Sequence, residues 1–115
     1  MTTQNLANVE EERTVTADTN DVMGSTALRQ APGPGAIAVY LASTVADSEA
    51  AVTVGGRSLK RKSIIGKVGT NAQVDVAADT PLISQVRGGE PIIVDIDVVT
   101  AGTIRVKVQW VGAPL

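Results

Sequence analysis

The sequence predicts an all-β chain, an antiparallel sandwich or barrel of about seven or eight short strands. Three observations carry this. Apolar residues alternate with polar ones in short runs, and no run keeps helical spacing beyond two turns. Gly, Pro, Asn and Asp punctuate those runs about every eight to twelve residues, the spacing of turns in such folds. The chain is 43% hydrophobic, yet it has no Phe, one Tyr and one Trp. Its core must come from Val, Ile, Leu and Ala, and β-branched residues favour strands.

In chain order, residues 1–12 read as polar and weakly structured. Leu6 and Val9 hint at a short helix that nothing extends. Over 1–35, Glu10, Glu11, Glu12, Asp18 and Asp21 oppose Arg13 and Arg29, so five acids against two bases leave −3. Two readings stand for this stretch. One is a solvated tail; the other is an arm that orders on a neighbouring subunit. A short strand over 13–17 fits within it. Gln30-Ala-Pro-Gly-Pro-Gly35 opposes both helix and ladder pairing. It is the expected boundary between an arm and hinge over 1–35 and a β-sandwich domain over 36–115.

Residues 36–43 form the next strand, with Ile37, Val39 and Leu41 on one face and Ala38, Tyr40 and Ala42 on the other. A polar connection over 44–50 leads to a strand at 51–54. Gly55-Gly56 turns it back as a two-residue hairpin. The returning segment, Arg57-Ser-Leu-Lys-Arg-Lys62, carries four cations, and 63–68 continues it as a strand broken at Gly66. Further strands are expected at 72–77 and 82–86, separated by Asp79-Thr-Pro81, with a turn at Gly88-Gly89. Val15–Thr19 and Val76–Thr80 echo each other as similar strand exits.

The last segment carries the most pattern. If Thr100, Ala101 and Gly102 form a three-residue loop, Ile92, Val94, Ile96 and Val98 lie opposite Trp110, Val108, Val106 and Ile104. On the other face Asp95 meets Lys107 and Asp97 meets Arg105, and Gly102 falls at the left-handed loop position. A hairpin over 91–111 is the expectation.

Composition narrows the chemistry. With no Cys and no His, disulfides, thiolate nucleophiles, Cys-ligated zinc and His-based triads cannot be assembled from this chain. A net charge of −2 offers no global attraction to nucleic acid or an anionic membrane. No stretch approaches the roughly 20 apolar residues of a membrane helix. The N-terminus lacks the basic and apolar regions of a signal peptide, so synthesis in a cytoplasm is expected.

Asp95 and Asp97 are paired carboxylates, able in principle to bind calcium or act as acid and base. The ion-pair reading accounts for them better, because each has a cation within cross-strand reach. No catalytic, metal or cofactor site is expected. Arg57, Lys60, Arg61 and Lys62 are the candidate partner-contact residues. They fit three roles: charges that block edge pairing, a docking patch for an acidic protein surface, or a weak nucleic-acid site. Gly66-Lys67 fails as a phosphate loop, since Val68 stands where Ser or Thr is required. Trp110 reads as core or interface filler.

The profile resembles small virion structural proteins of tailed bacteriophages. The resemblance rests on Thr14–Thr19, Gly89–Asp95 and Gly102–Val108, within a Val/Ala/Thr/Gly-rich chain that has a polar N-terminus and a Pro-Gly hinge. It is closest in style to capsid decoration, or cement, proteins with a jelly-roll-like β-sandwich. The resemblance implies a non-enzymatic protein of the capsid surface that binds the major capsid protein and copies of itself, as a homotrimer, without nucleic acid or membrane. The alternative is a carbohydrate- or receptor-binding module of a tail or baseplate, for which two aromatic residues are few.

Overall fold

Alternation along the chain builds seven strands in the computed structural model, which describes residues 8–112. They are β1 (Asn8–Val15), β2 (Gly35–Ser43), β3 (Glu49–Val54), β4 (Arg57–Ile64), β5 (Leu82–Val86), β6 (Ile92–Asp97) and β7 (Ile104–Gly112). They form two antiparallel sheets, ordered β1-β7-β2-β5 and β4-β3-β6. The all-β sandwich expected from sequence is what the chain adopts.

The core lies between the sheets. Ile37 and Val39 of β2, with Ile104, Val106, Val108 and Trp110 of β7, project from one sheet. Val52 and Val54 of β3, with Ile92, Val94 and Ile96 of β6, project from the other. Burying each such side chain stabilises the fold by about 1.5–3 kcal/mol relative to exposure.

The expected 91–111 hairpin does not form. β6 and β7 lie in different sheets, and residues 98–103 cross between them. Their apolar faces do meet, but across the core rather than side by side. β6 pairs with β3, and β7 pairs with β1 and β2. Gly102 is not left-handed; a Cβ there would press on the methyls of Val45 at 2.9 Å. The inward faces are as expected and the neighbours are not, because an apolar face is buried equally well by a facing sheet.

The division at residue 35 is likewise replaced. β1 pairs with β7 along its whole length, from Asn8–Val111 to Val15–Ile104. Val22, Met23 and Leu28 are buried in the core. The Pro-Gly segment is tied in as well: Ala31 N–H donates to Glu90 O at 2.8 Å, and Trp110 Nε1–H donates to Gly33 O at 3.1 Å. Residues 8–35 therefore belong to the sandwich, and residues 1–7 lie outside the described residues.

Strand pairing is nested. β1 pairs with β7; the segment around Thr19 and Val22 bonds to Ile96 and Val94 of β6; β2 pairs with β5; and β3 pairs with β4. First meets last and each later segment meets the next one inward, as when one long hairpin is rolled into two layers. The innermost turn is Gly55-Gly56, both with positive φ (57° and 81°), as a two-residue hairpin of this kind requires.

The expected strand over 72–77 does not form: residues 72–75 are irregular and 76–78 make a turn. Asp79 Oδ2 accepts from Asp75 N–H at 2.8 Å, and Asp75 Oδ1 accepts from Ala77 N–H at 3.0 Å. These local side-chain bonds compete with ladder pairing. Of residues 63–68, Ser63 and Ile64 end β4, and Val68 makes only an isolated bridge to Ser43.

Candidate functional site

β4 is an edge strand of its sheet and carries the four candidate cations. The structure assigns them different partners. Arg57 reaches across to the flank of β5: Nη1 pairs with Glu90 at 2.8 Å, and Nη2 donates to Gln85 O at 2.9 Å and Ser84 Oγ at 3.3 Å. Lys62 turns the other way, over β3, and pairs with Asp95 at 3.0 Å and Asp97 at 3.2 Å. Lys60 donates to Ser63 Oγ and, at 3.1 Å, to Ile64 O. Arg61 is exposed and has no ion pair among the described residues. The four do not act as one patch; among the described residues, Lys60 and Arg61 are the two without a carboxylate.

Two of the three acids of β1 are committed within the molecule. Lys107 pairs with Glu10 at 2.7 Å, and Arg105 Nε lies 3.7 Å from Glu12. Asp95 and Asp97 are in ion pairs as expected, but with Lys62 in place of Lys107 and Arg105. The hydrogen bond from Lys107 holds the Glu10 carboxyl below the usual range, and the same bond raises Lys107. At Lys62, burial pulls the pKa down, but the bonds to Asp95 and Asp97 outweigh it and the net shift is upward. Glu90 is lowered chiefly by Arg57, and Asp79 by Lys67.

Sequence reasoning missed a cleft of about 320 Å³ beside β4. Tyr40, Leu41, Lys60, Lys67, Asp79 and Leu82 line it. Lys67 and Asp79 pair at 2.7 Å and close the base of the 66–80 excursion. That excursion lies against the outer face of the four-stranded sheet near Tyr40, and both Tyr40 and Ala42 are buried although their parity is outward. The signal in the sequence was Pro81, which cannot extend a ladder by donating. Among the described residues no group of three or more acidic side chains is arranged to hold a metal ion.

The rest of that outer face is open among the described residues. Ala36 and Ala38 of β2 form a shallow floor, flanked by Ile83 of β5, 67% exposed, and Val111 of β7, 40% exposed. No family model, no curated protein and no solved structure matches this chain.

Proposed function

We propose that this chain is a non-enzymatic virion structural protein, a capsid decoration protein that binds the major shell of a tailed bacteriophage as a homo-oligomer. The observation that carries the reading is the nested strand pairing. Four concentric pairs rolled into two facing sheets favour a jelly roll, an architecture used by viral capsid proteins. The expectation from sequence style and the strand order point the same way.

Surface chemistry supports it further. A rigid sandwich that exposes Ile83 and Val111 around an alanine floor offers apolar area for a copy-to-copy contact. On a symmetric shell, weak contacts of this kind are multiplied through effective concentration. The test is to mix the purified chain with assembled capsid shells of the phage whose genome encodes it and pellet them. Saturable co-sedimentation at a fixed ratio to the shell protein is expected. A chain that stays in the supernatant with shells, but binds a defined oligosaccharide on a glycan array, would be a tail or baseplate module instead.

A further inference from the structure

β2 has an open stretch on its β5 side. The ladder there runs from Gly35–Val86 to Val39–Leu82 and stops. At the far end Ser43 N–H donates to Lys67 O at 2.9 Å, and Ser43 O accepts from Gly69 N–H at 3.0 Å. Alternate residues of an antiparallel strand turn their backbone groups to the same side. Leu41 therefore presents its N–H and C=O to this side as Ser43 does, with no backbone partner there among the described residues. The 320 Å³ cleft sits at this gap, and Leu41 lines it.

The cleft has a charge preference. Lys67 is neutralised by Asp79, whereas Lys60 is held, among the described residues, only by the neutral oxygens of Ser63 and Ile64. Tyr40, Leu41 and Leu82 supply an apolar wall opposite. We infer that this cleft receives an extended, acidic segment of a partner protein, which pairs with Leu41 as a short added strand and sets a carboxylate against Lys60. Main-chain bonds supply affinity in such additions, and the side chain beside the cation supplies selectivity.

A second copy is a poor source for that segment. Its acidic run, Glu10–Glu12, lies within β1, which is fully paired to β7, and two of its carboxylates face Lys107 and Arg105. The occupant is a different protein, which on the reading above is the shell; the inference rests on that reading.

The test is a titration of the ¹⁵N-labelled full chain with the peptide acetyl-Val-Asp-Val-Asp-Val-Asp-amide, followed by amide chemical shifts. Shifts are expected at Leu41, Lys60, Lys67 and Leu82. Binding should weaken about tenfold with Lys60→Glu, and about tenfold when Asn replaces Asp in the peptide. Lys60→Met, which keeps the aliphatic stem, should weaken it in the same direction and serves if Lys60→Glu does not fold. No movement of these amides at about 2 mM peptide, the weak end of useful affinity, would overturn the inference. Equal binding of the Asn peptide would overturn it too. If the chain still pelleted with shells in either case, the cleft would be wrong and the decoration reading would stand. Peptide binding without shell binding would keep the cleft and remove the decoration reading.

Discussion

Lys62 crosses above the small side chain of Ala51 to reach Asp95 and Asp97 on the next strand but one. Glu49 lies directly opposite Asp97 in the β3–β6 ladder. Like charges opposed across a ladder repel, and the Lys62 ammonium offsets that repulsion through its pairs with Asp95 and Asp97. Removing it leaves that repulsion uncompensated. Lys62→Ala should destabilise the fold by about 1 kcal/mol, the upper end for an exposed pair. Adding Asp95→Asn to that variant should recover part of the loss, as read from urea midpoints at low salt. An unchanged midpoint in Lys62→Ala would show that the pairs contribute nothing. Nothing in the sequence hints at this partnership, because Lys62 stands more than thirty positions from either acid, and Lys107 and Arg105 match the same acids equally well by spacing. Charge matching between strands is degenerate wherever two basic segments are available.

At the scale of elements, β2 is the strand on which the four-stranded sheet depends, since it pairs with both β7 and β5. Its first residue, Gly35, faces Gly112 and Val86, and a methyl group there would overlap the carbonyl oxygen of Val111. Gly35→Ala should therefore cost about 2 kcal/mol or more, by forcing the strand ends apart. A thermal midpoint within about a degree of the parent would mean that the sheet yields easily there. Strand existence was legible for β2 to β7, and facing for β2, β6 and β7, because alternation acts locally. Pairing was legible only for β3 with β4, where a two-residue turn leaves no choice. The partners of β1, β6 and β7 were not legible, because a buried face reports that it is covered and not by what. The irregular course of 72–77 was missed because two valines at strand spacing outweighed Asp75 and Asp79, whose side chains cap the local backbone.

At the scale of the whole molecule, the nested pairing explains why the acidic N-terminal stretch is structural. β1 pairs with the last strand along its whole length, and Glu10 and Glu12 supply the charges that Lys107 and Arg105 meet there. Inward parity places Glu11 and Arg13 on the side of β1 that faces the core, where charges at a sheet edge discourage further strand addition. The four cations of β4 were visible in the sequence; the cleft beside them was not, because it arises where one ladder ends before another begins. Among the described residues the fold leaves an apolar strip on the outer face of the four-stranded sheet, Ile83 and Val111 exposed beside Ala36 and Ala38. A decoration protein that works as an oligomer has a use for it. The most direct measurement is the mass of the full-length chain by light scattering, beside Ile83→Asp. A homo-oligomer, with the trimer expected, that falls to monomer on substitution is the predicted result. A wild-type monomer at tens of micromolar, on the order of the concentrations at which weak protein contacts form, would contradict the oligomeric decoration reading.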